Sequence, residues 1–409
     1  MSLPRATHVS IEAIESPLRR AHFEGLEALR AMAAVMVVVH HVAFVAGKRH
    51  GLIGDAASVM DGGVAVFFVL SGFLIFRPFA VATLTDQPAQ RTVSFWWRRI
   101  LRILPAYWLV LTVLWAAGNF ELGSDWWKYY LLAQPFSRDT VLGGIVPAWS
   151  LSTEISFYLL VPPFAALARR LAGTSAARLA VLVVALAAVA PIARATAPTW
   201  AGENLGLTFQ WLPTNLDLFG VGMLLAVASA HAHTTGGWSD RARRATAAVW
   251  PWWVAAALVF AAYAYGVGGV GLETGYVGWF WQRRQATFAA FSLLLLIPAV
   301  VTPTRPTPLR RLWAWQPLAW VGTVSYGLYL WHLGLLERMV DRPEAVAGSA
   351  DQWKGWLPYS FGSARFSVLL GATLAAGLGA AALSWYLVEK PLQRFKGAVD
   401  SVARRGRGA

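Results

Sequence analysis

No cysteine occurs in the 409-residue chain, which excludes a disulfide framework, a thiolate nucleophile and any cysteine-based metal site. Acidic residues are few beside basic ones, 21 against 35, so the net charge is +14. Such a surplus suits a nucleic-acid partner when it gathers on a basic domain or stripe. Here it is spread through short loops between apolar runs, and no nucleic-acid binding is expected. An early apolar stretch is missing as well: the first 25 residues hold Arg5, Glu12, Glu15, Arg19, Arg20 and Glu24. A cleavable secretory signal is therefore not expected, and the first apolar run must target the chain. There is no Gly-x-Ser-x-Gly elbow, no glycine-rich phosphate loop with lysine and no dinucleotide fingerprint in a usable context. The paired histidine spacing of a metalloprotease helix is also absent, so no metal is expected.

What the chain does have is apolar residues, 57% of the total, with 22 tryptophans. That is more apolar surface than one soluble core of this length can bury, so lipid is the natural solvent. Many tryptophans sit at the ends of apolar runs, as interface belts do. Runs long enough to cross about 30 Å of hydrocarbon fall at 28–47, 62–84, 101–118, 148–168, 178–195, 212–230, 248–268, 286–303, 315–337 and 366–388. The apolar patch Trp126 to Phe136 is too short to span and contains Lys128, which fits an interfacial or re-entrant piece. Cytoplasmic loops carry the excess of Lys and Arg. One side holds 21 of the 35 basic residues and the opposite loops 11, with Arg30, Arg77 and Arg102 inside helix ends. The expected fold is all-α: a polytopic membrane protein of about ten transmembrane helices with both termini cytoplasmic. It divides into a tail at 1–27, one membrane domain at 28–390 and a basic tail at 391–409.

Ionisable side chains inside apolar runs are costly and mark function. Arg30 and His41 lie eleven residues apart on the first run. Eleven steps of about 100° put them on one face, roughly 16 Å apart along the axis. His40 points about 100° away. Arg98, Arg99 and Arg102 precede Pro105. Arg99 and Arg102 share a face, as a fork for phosphate oxygens would; an ordinary positive-inside cluster looks the same. Glu154 sits among Ser150, Ser152, Thr153, Ser156 and Tyr158, more hydroxyls than a structural role requires. A buried carboxylate there needs a partner. Ser325, Tyr329 and His332 form one polar stripe at helical spacing. For both histidines the competing account is packing: a ring bonded to a neighbouring carbonyl, or a hydrogen-bonded seam between helices.

Taken in order, these strings resemble the acyltransferase-3 family of multi-pass membrane O-acyltransferases, over nearly the whole chain. Arg30 to His41 fits that family's arginine, ten residues, histidine pattern, with Glu27-Ala-Leu where Asp-Gly-Leu is usual. The string from Gly63 to Ile75 is similar to the second-helix signature, with Ala65 where an acidic residue is frequent. Trp97 to Tyr107 matches the Arg-x-x-Arg motif, Trp149 to Tyr158 the motif around the glutamate, and Ser325 to His332 and Glu389-Lys-Pro391 the late motifs, with Lys390 where arginine is commoner. The resemblance implies transfer of an acyl group, most often acetyl, from cytoplasmic acyl-CoA to a hydroxyl, without a permanently bound cofactor. It implies His41 as general base, with Glu154 or His332 orienting it or a substrate, and Arg99 and Arg102 as ligands of coenzyme A phosphates. Arg30 would bind phosphate or support the pantetheine path. The partners are the lipid bilayer and a carbohydrate or glycosylated acceptor: a surface polysaccharide, a glycolipid or a macrolide-type metabolite. The expected place is the cell membrane, a bacterial inner membrane. Some members carry a C-terminal hydrolase-like domain; this sequence ends 18 residues after Pro391, so any such partner is expected as a separate chain. The competing functions are a proton-coupled transporter, favoured by paired broken helices and inverted repeats, and a flippase-like binding component.

Overall fold

The structure is a computed structural model that describes residues 25–48, 50–267, 278–301, 315–341, 357–358 and 363–398. Most of the tail at 1–27, the end of the tail at 391–409, and Arg305, Arg310 and Arg311 lie outside the described residues.

Among the described residues the helices that carry the fold are α1 Leu26–Val45, α2 Gly51–Ser58, α3 Gly63–Leu84, α4 Thr92–Ala116, α5 Trp126–Tyr130, α6 Trp149–Ala172 and α7 Ala176–Ala187. They continue with α8 Val189–Trp200, α9 Leu216–Thr234, α10 Asp240–Ala245, α11 Trp250–Ala262, α12 Gly278–Val300, α13 Gln316–Met339 and α14 Ser363–Ser384. A two-residue parallel pairing of Val340–Asp341 with Leu357–Pro358 is the only β structure among the described residues. The chain is thus an all-α membrane protein. Among the described residues seven segments are long and apolar enough to cross a bilayer: Leu26–Val45, Gly51–Leu84, Thr92–Ala116, Val146–Ala172, Ala176–Trp200, Leu212–Thr234 and Arg365–Gly397. Helices α11, α12 and α13 stand at the other three predicted positions and are shorter or less apolar.

Several boundaries move from where hydropathy puts them. Helix α4 begins at Thr92, so Arg98 and Arg99 lie within it together with Arg102 rather than ahead of it. The fifth run is two helices meeting at Ala188, just before Pro191, whose missing N–H and ring disfavour an unbroken ladder. Helix α12 starts at Gly278 and draws the polar stretch Gln282 to Gln285 into the membrane domain. The patch after Trp126 forms α5 and a 3-10 turn, Gln134–Phe136, held along α4. Tyr107 Oη donates to the Tyr129 carbonyl at 2.7 Å and Trp108 Nε1 to the Tyr130 carbonyl at 2.9 Å. Helix α6 closes at Gly173, whose positive φ (55°) favours glycine, and Ser175 caps α7 by accepting from Arg178 N.

Lipid offers no hydrophobic drive between helices, so close approach of backbones at small residues holds them together. Parallel helices α3 and α9 cross at Gly72 and Gly222, where a Cβ would run into the Phe219 and Val69 carbonyls. Helices α1 and α13 also run parallel, with Gly322 against the Glu27 carbonyl at one end and His332 beside His41 at the other. Helix α14 returns antiparallel along α13 through Gly327 and Ala381. The α1·α13 seam therefore sets the separation of the two histidines. Gly322→Val forces a side chain into the Glu27 backbone; we expect a loss of roughly 1–3 kcal/mol, read as a lower thermal midpoint in detergent.

Candidate active site

Helices α1, α3, α4, α6 and α13 surround a cavity of about 820 Å³ including its open mouth. Its cationic part is built by Arg30, Arg99 and Arg102, brought from two helices whose own spacing already grouped Arg99 with Arg102. Arg30 Nη1 donates to Glu27 Oε1 at 2.6 Å. The Arg99 guanidinium lies over the Phe95 and Tyr158 rings, at 5.6 and 5.7 Å from their centroids, a placement that holds its plane. Arg98 turns away to Gln90, at 2.6 Å.

Glu154 faces the same cavity, where its Oε1 accepts from Ser71 Oγ and from Tyr158 Oη, both at 2.5 Å. Glu154 is thus placed with the arginines and not against His41. The other hydroxyls of this helix end prove largely structural. Ser152 donates to the Leu132 carbonyl at 2.6 Å, Thr153 to that of Gln210, and Ser156 to that of Ser152 at 2.8 Å. The first two tie α6 to neighbouring loops, and the third stays within the helix. Ser150 is different: with Tyr329 Oη it forms a 2.8 Å hydrogen bond, and Tyr329 Oη donates to the Pro147 carbonyl at 2.6 Å.

The two histidines meet across 291 residues of sequence. His332 Nε2 and His41 Nδ1 are 3.1 Å apart, His332 Nδ1 is 2.7 Å from the Tyr329 carbonyl, and His41 Nδ1 is 3.0 Å from the Val37 carbonyl. A carbonyl only accepts, so His332 Nδ1 carries a proton and, in the neutral ring, His332 Nε2 is an acceptor. His41 Nδ1 must then be the donor, shared between His332 and Val37. The proton of neutral His41 is therefore on Nδ1, and its Nε2 keeps a basic lone pair. His332 is wholly buried, whereas His41 is partly exposed. His40 bonds the Ala57 carbonyl at 3.1 Å, with its ring edge-on to that of His41 at 5.2 Å. Among the described residues no three His, Asp or Glu side chains cluster to hold a metal.

All six residues singled out in the sequence lie in this region, in two groups: Arg30, Arg99, Arg102 and Glu154 on the cavity, His41 and His332 beside its end at Tyr329. Ser71, Tyr326 and Tyr329 also line the cavity. Tyr329 was visible in the polar stripe of α13, and Ser71 only as a letter in an apolar string.

A family model described as an acyltransferase domain matches residues 23–389. The chain is similar to a putative peptidoglycan O-acetyltransferase, YrhL of Bacillus subtilis, at 25% identity over 91% of this chain and 55% of the relative. It is also similar to the peptidoglycan O-acetyltransferase OatA of Listeria monocytogenes, at 24% identity over 78% of this chain and 50% of the relative. The chain thus spans about half the length of these two. The acyltransferase MdmB of Streptomyces mycarofaciens is 28% identical over 95% of this chain and 96% of its own length. No solved structure matches the chain.

Proposed function

The chain belongs to the acyltransferase-3 family, and from that premise we propose that it is a membrane O-acyltransferase moving an acyl group, acetyl first, from acyl-CoA to a hydroxyl of a carbohydrate or glycosylated acceptor. The single observation that carries this reading is the imidazole relay beside a cationic cavity: a His41 Nε2 kept basic by its bond to His332, next to a compartment with three guanidiniums.

An alcohol attacks a thioester well only when a base takes its proton as it does so. In this mechanism His41 Nε2 accepts the acceptor's hydroxyl proton while that oxygen forms a bond to the acyl carbon. The C–S bond then breaks, and the leaving thiolate takes the proton back from the His41 imidazolium. His332 Nε2 holds the ring through the cycle, and its bond to Nδ1–H strengthens while His41 is charged. Arg99 and Arg102, with Arg30, hold the phosphates of coenzyme A as forks matched to phosphate oxygens. The roughly 16 Å from Arg30 to His41 along α1 is within the reach of an extended pantetheine arm. His41 is partly exposed without lining the donor cavity. Donor and acceptor therefore approach it from different sides.

The peptidoglycan relatives support a carbohydrate hydroxyl as acceptor, and the near-complete overlap with the Streptomyces acyltransferase supports a chain of this length as an acyltransferase in itself. A bacterial inner membrane is the corresponding location. Membership of this family does not favour a transporter. The test is acceptor-dependent release of coenzyme A from acetyl-CoA by the purified full chain, with the acetylated product identified by mass, across carbohydrate and glycosylated acceptors. Absence of both release and product overturns the proposal. Arg102→Gln removes a charge-assisted fork, and we expect KM for acetyl-CoA to rise about 10- to 100-fold with kcat far less altered.

A further inference from the structure

Neither histidine lines the arginine-bearing cavity. Phe67 of α3 and Tyr329 of α13 line it, their rings meeting edge to face at 6.1 Å, and the Tyr329 ring lies 5.9 Å from that of His332. This aromatic pair is the wall between the compartment assigned to the donor and the nitrogen assigned as base. Its two members are held differently. Tyr329 is pinned, because its hydroxyl donates to Pro147 and is bonded to Ser150. Phe67 has no polar anchor; it is partly exposed, and it packs on one side against the cavity and on the other against the cluster containing Val38, Val42, Val324 and Leu328.

Resting on the acyl-CoA reading above, we propose that Phe67 is the specificity residue that limits acyl chain length, admitting acetyl and excluding longer straight chains at the gap it shares with Tyr329. A thioester that reaches His41 from the arginine side carries its acyl carbons into this gap. An acetyl methyl asks the least displacement of these two rings. Each further methylene must displace the Phe67 ring into the packed α1·α13 side, since Tyr329 cannot yield without breaking two hydrogen bonds. Overfilling a packed apolar site is costly, and one methylene already discriminates about 10- to 200-fold in such pockets.

Equilibrium binding of acetyl-CoA and of hexanoyl-CoA to the purified full chain, without acceptor, tests this. The wild type is expected to bind acetyl-CoA more tightly. Phe67→Ala is expected to shrink that preference by at least about tenfold, through tighter hexanoyl-CoA binding, and Phe67→Leu to fall between the two. Phe67→Leu, the gentler change, keeps the test valid if the alanine variant does not elute as a monodisperse protein. A parallel change for both ligands, or a wild type that prefers hexanoyl-CoA, overturns the role of Phe67 alone. A wild type that binds neither ligand overturns the donor reading and this inference with it.

Discussion

His41→Ala is expected to remove the proposed acyltransferase activity, with a fall in kcat of about 10²- to 10⁴-fold, while acetyl-CoA binding and the elution of the purified protein stay close to wild type. The proposed phosphate ligands, Arg99 and Arg102, line the cavity, and the substitution does not touch them. Its effect should therefore sit in the chemical step. His332 supplies the internal control. With His332→Leu, His41 loses the Nε2 acceptor but still donates Nδ1–H to the Val37 carbonyl, so the basic Nε2 persists in a less rigid ring. A fall of about tenfold, well short of that in His41→Ala, is expected. Equal losses in the two variants would make His332 the base and His41 its support. Full activity in His41→Ala would remove His41 from the chemistry.

How much of this was legible in the sequence depends on the range of each interaction. The shared face of Arg30 and His41, the Arg99 and Arg102 fork and the stripe from Ser325 to His332 follow from helical periodicity, and in the structure each remains a local property of one helix. The bond between His41 and His332 spans 291 residues and depends on α1 and α13 running parallel, in contact at Gly322. No spacing encodes that. Around Glu154 the hydroxyls are mostly spoken for: Ser152, Thr153 and Ser156 satisfy backbone carbonyls. The hydroxyl that does reach Glu154 from another helix is Ser71, hidden in the apolar string of α3. Hydropathy located the helices but not their ends. Charged residues such as Arg98 lower a window average without stopping a helix, and Pro191 breaks one without changing its hydropathy.

The same limit explains why a buried ion pair escaped notice. Arg194 stands at the end of the fifth run and Asp217 near the start of the sixth, each an isolated charge whose sequence neighbours say nothing of the other. In the structure their side chains are 3% and 21% exposed and 2.7 Å apart. Arg194 also donates to the Thr214 carbonyl at 2.7 Å and to Gln282 Oε1 at 2.9 and 3.0 Å, and Gln282 Nε2 donates to the Pro191 carbonyl at 2.9 Å. One guanidinium thereby joins α8, the turn before α9, and α12. Asp217→Ala leaves that cation buried with neutral partners only. A cost of about 3–5 kcal/mol is expected, seen as a large fall in thermal midpoint and in recovered monodisperse protein. The two Gln282 bonds and the Thr214 carbonyl place the value toward the lower end. Removing both charges together, with Arg194→Met and Asp217→Leu, should recover most of the loss, because the penalty lies in the unpaired charge and not in the absence of the pair. Neither residue reaches the cavity, so coenzyme A release per folded molecule should be unchanged in the double variant. A double variant as unstable as Asp217→Ala would mean that the Gln282 and Thr214 bonds, rather than the ion pair, hold the three segments together.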